Sequence, residues 1–285
     1  MRLCRFGNDR LGVVDGDAVR DVTAALDSLP VYRHPLPCFD VLIANLDTLR
    51  PHLEALSRQA QPQRLADLKL LSPVANPGKL IAAPVNYQRH LEEVRRNADL
   101  HHDNQIPVIQ RAGLFLKATS SLVGAGEGIA LRTLDRRTDH EVELAFVIGK
   151  QASHVARGDA LAHVAGYGIG LDITIRGPEE RSLRKSPDSH SVLGPWLVTA
   201  DEIPDPGALQ LGLSVNGQIR QRSSTADLIL GVSELIEYAS SFYTLYPGDV
   251  VFTGTPEGVS PIHPGDVIVA SIDGIGTMEV KVRAA

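Results

Sequence analysis

The strongest chemical signal in the sequence is a pair of glutamates, Glu141 and Glu143, at the start of an apolar run over residues 142–148. Side chains alternate between the two faces of a β-strand, so both carboxylates would point to one side, with their Cα atoms roughly 6.5 Å apart. If this side is buried, the repulsion and desolvation of the two charges need compensation, by proton uptake or by a cation. The alternative is a strand with one solvated, polar face.

A third acid, Asp172, interrupts the apolar segment 170–174. Aspartate is disfavoured inside strands, so its presence there needs a specific reason. Three carboxylates from two strands, with no cysteine nearby, would form a hard oxygen site that suits Mg²⁺ or Mn²⁺ better than Zn²⁺. The sequence therefore predicts a divalent metal site formed by Glu141, Glu143 and Asp172.

A second group of functional residues lies on a predicted helix, where His90 and Glu93 are three positions apart. At this spacing the two side chains share a face, so the carboxylate can hydrogen-bond the imidazole, fix its tautomer and raise its basicity. The pair could act as a general base. A structural pair on a surface helix is the alternative.

Lysine is rare in this chain, with six residues beside 22 arginines. Lys117 ends the apolar segment 115–117, and Lys185 lies in the polar segment 184–188. An ammonium near a metal-bound anion would stabilise the negative charge of a developing enolate or alkoxide. For each lysine, the alternative is a solvated side chain.

The elements that must position these residues are mostly short strands bounded by glycine, without the regular strand and helix alternation of a doubly wound sheet. Amphipathic helices are predicted over residues 86–98 and 232–242. Strands are predicted over residues 79–83, 114–117, 142–148, 166–175, 211–215, 250–253, 267–272 and 277–282. The pattern indicates an α+β fold that is mainly β.

The first part of the chain is less informative. A hairpin is predicted over residues 11–14 and 18–22, followed by helices over residues 39–46 and 52–60. A polar, proline-containing segment at residues 59–63 precedes a new apolar strand at 68–71, so we place a domain boundary near residue 72. The prediction is a small N-terminal α+β domain, 1–72, and a catalytic domain, 73–285.

Composition narrows the class of protein. The net charge of −6 argues against nucleic acid as a partner, because a phosphate-binding surface needs a cationic excess. The two cysteines are too few for a disulfide framework, which favours a reducing cytoplasm. No apolar run approaches the length of a membrane span and no signal peptide is recognised, so no membrane association is expected.

Taken in chain order, these residues resemble the fumarylacetoacetate hydrolase family over residues 79 to 283. No single motif is specific, but their combination and order are. The matching pieces are Asn86-Tyr87-x-x-His90-x-x-Glu93, Phe115-Leu116-Lys117, Glu141-x-Glu143-Leu144, Asp172 with Thr174 and Arg176, Lys185-Ser186-x-Asp188, Gly194-Pro195-Trp196, and Pro247-Gly248-Asp249 followed by Thr253-Gly254-Thr255-Pro256-x-Gly258-Val259.

The resemblance implies a mixed β-sandwich or roll-like catalytic domain, a homodimer, and one Mg²⁺ or Mn²⁺ per subunit. It implies that the Glu-x-Glu strand and the later aspartate hold the metal. It assigns His90 and Glu93 to a mobile lid helix that activates water, and Lys185 to catalysis at the substrate. Further substrate contacts are assigned to Tyr87, Lys117, Arg176, Gly254 and Thr255.

The activity implied by the resemblance is hydrolysis of a carbon–carbon bond in a 2,4-dioxo acid of the acylpyruvate or fumarylpyruvate type, as in aromatic catabolism, giving pyruvate and a carboxylate. A stabilised pyruvate enolate also serves 2-oxo acid decarboxylation, as of oxaloacetate, or isomerisation of an unsaturated 2-oxo acid, and both alternatives stay open. A third alternative is a catalytically silent, ligand-binding member. It is favoured by departures from the family pattern around Pro84 and Gly177.

Overall fold

The computed structural model describes residues 1–102 and 104–285, and within these ranges the chain forms nineteen strands and seven α-helices. The strands are β1 (Arg2–Phe6), β2 (Arg10–Asp15), β3 (Ala18–Asp21), β4 (Pro62–Arg64), β5 (Leu70–Leu71), β6 (Leu80–Ala82), β7 (Phe115–Lys117), β8 (Leu122–Val123), β9 (Ile129–Leu131), β10 (Thr138–Asp139), β11 (Val142–Ile148), β12 (Val164–Asp172), β13 (Thr174–Ile175), β14 (Ser191–Thr199), β15 (Gln210–Val215), β16 (Gln218–Ser224), β17 (Val250–Phe252), β18 (Val267–Ile272) and β19 (Gly276–Ala284). The helices are α1 (Val41–Ala44), α2 (Leu46–Gln59), α3 (Gln88–Arg96), α4 (Ala98–His101), α5 (Ile109–Ala112), α6 (Arg181–Lys185) and α7 (Val232–Phe242).

Twelve strands form one large sheet with the order β4-β3-β2-β1-β14-β12-β11-β17-β6-β7, in which β5 also pairs with β1 and β8 with β14. The neighbours are antiparallel except for β17 with β6 and β14 with β8. The strands β11 and β12, which carry the predicted acids, lie well inside this sheet. A site built on them is therefore held by strands on both sides.

A second sheet has five strands in the order β16-β15-β18-β19-β9, and β10 pairs with β13 in a two-stranded sheet. Only β19 and β9 run parallel in the five-stranded sheet. The α+β, mainly β fold class is confirmed. None of the helices in the described ranges is long and apolar enough to cross a membrane.

Every residue of β11 is buried. Val142, Leu144 and Phe146 belong to the main hydrophobic core, whereas Ala145 and Val147 pack in a second cluster. The side chains thus alternate between two covered faces, as the strand pattern predicts. A solvated strand face, the alternative considered for the Glu-x-Glu pair, is excluded.

The predicted strands 142–148 and 267–272 and the helix 232–242 have the bounds that the structure gives to β11, β18 and α7. The predicted strand 166–175 is in fact two strands, because β12 ends at Asp172 and β13 pairs with β10 instead. The helix predicted over residues 86–98 is shorter in the structure, where α3 spans Gln88–Arg96. Its start is later because the side chain of Asn86 forms hydrogen bonds outside the helix. Strand β14 was not predicted.

In the first 72 residues, β2 and β3 form the predicted hairpin, with Asp15 opposite Ala18. The two helices differ from prediction, because α1 has a single turn and α2 already begins at Leu46. Strand β1 pairs with β14, so the hairpin extends the large sheet. The division into residues 1–72 and 73–285 stays a prediction.

Candidate active site

Three buried carboxylates converge at one end of β11 and β12. Glu141 directly precedes β11, Glu143 lies on it, and Asp172 ends β12. The backbone N–H of Asp172 donates to the carbonyl of Glu141 at 3.0 Å, which keeps the two strand ends together. One oxygen from each carboxylate lies within 4.8 Å of the others, and all three residues are at most 3% exposed. The structure therefore brings the three predicted acids together.

The ammonium of Lys185 lies among these acids. It donates to Glu141 Oε2 at 2.7 Å, to Asp172 Oδ2 at 2.6 Å and to Thr174 Oγ1 at 2.7 Å. Lys185 is the last residue of α6 and is itself buried. Because all three ammonium protons have an acceptor, its position between two strands and a helix is fixed.

Two further cations complete the cluster. Lys117 is fully buried and bonds Asp172 and the carbonyl of His190, the latter at 2.6 Å. Arg176 donates from Nη2 to Glu141 Oε1 and from Nε to Asp139 Oδ2, each at 2.8 Å. The cations thus contact two of the three carboxylates. Glu143 has no ion-pair partner in the part of the chain that the structure describes.

Because of this asymmetry, the pKa values of Glu141 and Glu143 shift in opposite directions. Burial opposes ionisation of Glu141, but the charges of Lys185 and Arg176 outweigh it and hold the pKa of Glu141 below its ordinary value. Burial, together with the charge of Asp172, raises the pKa of Glu143 well above its ordinary value. Burial also lowers the pKa of Lys117. Glu143 is therefore the carboxylate whose charge is least compensated.

The donor set fits a hard divalent cation. Its atoms are all carboxylate oxygens, they are buried and close together, and no side-chain cation forms an ion pair with Glu143 in the described ranges. Mg²⁺ and Mn²⁺ prefer such oxygen ligands, whereas nitrogen and sulfur ligands would favour zinc. Glu141, Glu143 and Asp172 could therefore hold Mg²⁺ or Mn²⁺.

The predicted His90 and Glu93 pair forms on α3. His90 Nδ1 lies 2.9 Å from Glu93 Oε2, and the other oxygen, Oε1, accepts the N–H of Gly258 at 3.0 Å. A carboxylate only accepts, so Nδ1 carries the proton and Nε2 is left as the basic nitrogen of the neutral ring. His90 is 3% exposed and lines the same cavity as the acids.

Asn86 fixes the start of this helix. Its side-chain amide donates to the carbonyls of Leu230 and Thr253 and accepts the N–H of Leu230, each at 2.8 Å. These bonds join the beginning of α3 to the turn before α7 and to the end of β17. Asn86 therefore positions His90 from four residues away, although in the sequence it stands out only as part of a motif.

The predicted contacts on the 247–259 loop also lie at the site. The N–H of Gly254 donates to Glu143 Oε2 at 2.7 Å, and the hydroxyl of Thr255 donates to the carbonyl of Val142 at 2.9 Å. Gly254 has φ +98°, and a Cβ there would lie 2.7 Å from Asn86 Cβ, so only glycine fits. The loop holds the Glu143 carboxylate in this structure.

The acids, His90, Arg176, Lys185 and Thr255 line one cavity of about 60 Å³. Tyr87 and Lys117 are not among its lining residues: Tyr87 is 1% exposed, and its hydroxyl has no hydrogen-bond partner among the described residues. Sequence reasoning missed Asp139, which binds Arg176 and Arg137 through both carboxylate oxygens. Asp139 lies two residues before Glu141, which is the spacing of side chains on one face of a strand. This spacing was the signal in the sequence that could have identified it.

Comparison with known proteins places this geometry in context. A family profile described as "Fumarylacetoacetate (FAA) hydrolase C-terminal" matches residues 79–283. Over 286 aligned residues the chain is 60% identical to "Maleylpyruvate hydrolase" of Aquipseudomonas alcaligenes, covering 100% of both chains. It is 32% identical over 306 residues to "2,4-didehydro-3-deoxy-L-rhamnonate hydrolase" of Sphingomonas sp. (strain SKA58), covering 99% of this chain and 96% of that one.

Among solved structures, the chain is similar to maleylpyruvate hydrolase from Sphingobium sp. SYK-6 in complex with manganese(II) and pyruvate. The two share 40% identity with a TM-score of 0.85, and the match covers 100% of each chain. The family resemblance predicted from the motifs is confirmed. This chain therefore belongs to the fumarylacetoacetate hydrolase family.

Proposed function

We propose that this protein is a divalent-metal-dependent hydrolase that cleaves maleylpyruvate, or a closely related 2,4-dioxo acid, into pyruvate and a carboxylate. The observation that carries the proposal is the buried triad Glu141, Glu143 and Asp172, which shares one cavity with His90. The full-length similarity to maleylpyruvate hydrolases, one of them solved with manganese and pyruvate, supplies the substrate.

The three acids would hold one Mg²⁺ or Mn²⁺ per subunit. When bound, such an ion polarises the oxygens of a 2-oxo acid and stabilises the negative charge of its enolate. Lys185 and Arg176 add to this effect because their positive charges lie in the same water-poor volume. The buried cluster thus suits a reaction that develops enolate charge.

In the proposed reaction, His90 Nε2 removes a proton from water, and Glu93 keeps the proton of the ring on Nδ1. The water oxygen bonds to the carbonyl carbon distal to the 2-oxo acid, and the bond between that carbon and the pyruvate methylene breaks. The bond electrons form pyruvate enolate, which takes the proton held on His90 Nε2 to give pyruvate, while the new carboxylic acid releases its hydroxyl proton to solvent. The distal acyl group leaves as a carboxylate.

We infer that the cavity enlarges for this reaction, because its volume of about 60 Å³ is well below the roughly 300 Å³ or more of pockets that enclose a small-molecule ligand. The wall that closes it includes Val94 of α3 and Leu100 of α4. We infer that these helices form the lid and move when substrate enters. We also infer that the protein acts as a homodimer in the cytoplasm, where its two free cysteines would stay reduced.

The test is a hydrolysis assay on protein stripped with chelator and reloaded with Mg²⁺ or Mn²⁺. Maleylpyruvate loss and pyruvate release should be equal, should require metal and should return on reloading. Oxaloacetate in a parallel assay measures decarboxylation and tautomerisation, the alternatives for the same enolate chemistry. Turnover that chelation leaves unchanged, or no turnover of maleylpyruvate by the reloaded protein, contradicts the proposal.

A further inference from the structure

One cation at the site is not used by the proposed mechanism. Arg181, the first residue of α6, lines the cavity that contains the acids and His90. Its guanidinium carbon lies 5.3 Å from the ring centroid of Phe115, and Lys185 Nζ lies 5.5 Å from the same centroid. Arg181 therefore extends the row of positive charge that begins at Lys185.

Unlike the other cationic side chains around it, Arg181 has no hydrogen-bond acceptor for its guanidinium among the described residues. Arg176 and Lys185 bind the carboxylates, and Arg184 donates to the carbonyls of Glu179 at 2.8 Å and Ile175 at 3.1 Å. Within residues 1–102 and 104–285, the guanidinium of Arg181 has no hydrogen-bond acceptor and no ion-pair partner. A partly buried guanidinium with free donors loses hydration without replacing it, so an anionic ligand would be stabilised there.

The segment that carries Arg181 is rigidly held. Arg136 binds both oxygens of Glu179 and the carbonyl of Arg176, and Glu180 accepts the N–H of Ser182 at the start of α6. A Cβ on Gly177 would lie 1.9 Å from the guanidinium of Arg136. The guanidinium of Arg181 is therefore presented to the cavity by a fixed backbone, which lowers the entropic cost of binding.

The lining of the cavity combines positive charge with apolar surface. Lys185, the metal-binding acids and Arg181 all line it. An apolar wall is formed by Val85, Val94, Leu100 and Ile106, which belong to one hydrophobic cluster. An unsaturated dicarboxylate would place its 2-oxo acid end at the acids and its hydrocarbon middle on this apolar wall.

We propose that Arg181 binds the distal carboxylate of a dicarboxylic 2,4-dioxo acid and thereby makes the protein prefer diacids to monoacids. This inference rests on the proposed function, since it assigns the 2-oxo end of the substrate to the carboxylate triad. Arg181 Nη and Nε atoms donate to the carboxylate oxygens, and Phe115 supports the planar guanidinium from one side.

The test uses two ligands, 2-oxopimelate and 2-oxoheptanoate, in which a terminal carboxylate replaces a methyl group. Calorimetry on Mn²⁺-loaded wild-type protein should give roughly 10- to 100-fold tighter binding of the diacid. Arg181→Met keeps the apolar stem and should reduce this preference to within about threefold, whereas Arg181→Lys should retain part of it. Arg132→Met, which removes an exposed arginine bound to Asp188, should leave the preference unchanged.

Turnover is measured in parallel on maleylpyruvate and on acetylpyruvate, which has no distal carboxylate. Arg181→Met should lower kcat/KM for maleylpyruvate by roughly 10- to 100-fold and for acetylpyruvate by less than about threefold. Equal losses for both substrates, or a diacid preference that survives in Arg181→Met, overturns the inference. A preference that depends on Arg181 in a protein that does not hydrolyse maleylpyruvate upholds the inference and contradicts the proposed function.

Discussion

At the scale of single residues, the site is a cluster in which each buried charge has a defined neighbour. The sequence was sufficient to predict its three acids, because Glu-x-Glu spacing and an aspartate inside an apolar strand are both costly patterns. It could not predict that Lys185 and Arg176 bind Glu141, since these contacts depend on how α6 packs against β7 and β13 and on where the chain runs after β13. The sequence therefore identified the three acids, whereas it identified Lys185 and Arg176 as candidate site residues without their contacts to the acids.

Glu143 is the most informative single position, because it has no cationic partner in the described ranges and its carboxylate is held by Gly254. Glu143→Ala should reduce Mn²⁺ affinity by about 100-fold or more, since even indirect contacts to a metal site change affinity by roughly 10- to 100-fold. Glu143→Gln keeps the acceptor for the Gly254 N–H and should show a comparable loss.

The measurement is a calorimetric Mn²⁺ titration of stripped protein, and circular dichroism verifies folding. Glu54→Ala, which removes a half-exposed carboxylate on α2, is the control and should bind Mn²⁺ as the wild type does. Wild-type affinity in both Glu143 variants would mean that the ion binds elsewhere.

His90 is expected to act on water and not on the metal. His90→Ala should therefore keep Mn²⁺ affinity and lower kcat on maleylpyruvate by roughly 10²- to 10⁴-fold, the usual contribution of a general base. Glu93→Gln should retain the ring position but weaken its basicity, giving a smaller loss. A His90→Ala variant with near wild-type kcat would exclude this role for the pair.

At the scale of elements, strands without proline were predicted best. β11 and β18 have the predicted bounds, because each is an uninterrupted apolar or alternating run. β14 was missed because Gly194 and Pro195 interrupt it, and proline cannot donate to a neighbouring strand. Yet β14 lies between β12 and β1 and joins the N-terminal hairpin to the strands of the site. The strand is stabilised by its pairing with β12 and β1, which are distant in the sequence, and local sequence patterns do not reveal such pairing.

The start of α3 illustrates how one side chain positions an element. Asn86 is fully buried and makes three hydrogen bonds to Leu230 and Thr253. Asn86→Ala should lower the free energy of unfolding by about 3 kcal/mol, because buried backbone groups lose their partners. It should also reduce kcat, since His90 follows on the same helix.

Asn97→Ala is a matched control at the other end of α3. Asn97 is exposed and its side chain accepts a single hydrogen bond, from the N–H of Asp99 at 3.0 Å, so its loss should cost at most about 1 kcal/mol. Urea unfolding of both variants provides the comparison. Equal destabilisation by the two substitutions would refute the positioning role of Asn86.

At the scale of the whole molecule, the net charge of −6 is a poor guide to the site. Glu141 and Asp172 are paired with the buried cations Lys117, Lys185 and Arg176, so the cluster contributes little to the net charge. Buried titratable groups instead affect the molecule through the pH dependence of its stability. His190 offers the clearest case, because its side chain is buried beside Lys117 and, among the described residues, makes one hydrogen bond, to the carbonyl of Asp188.

Burial lowers the pKa of His190 to about 4, whereas an unfolded histidine titrates near 6.5. Between these values the unfolded chain binds a proton that the folded protein excludes, so stability falls as the pH decreases. The slope contributed by this residue is at most about 1.4 kcal/mol per pH unit, and the full loss is about 3 kcal/mol. Above about pH 6.5 the contribution is constant.

His190→Asn retains a donor for the Asp188 carbonyl but cannot titrate, so it isolates this effect from that of other acids and histidines. Urea unfolding of both proteins, in chelator so that metal release does not contribute, should give parallel stabilities above about pH 6.5. Below it, the wild type should lose stability faster than the variant down to about pH 4. Parallel curves over that whole interval would show that His190 is free to take up a proton in the folded protein. The burial beside Lys117 would then not control its charge.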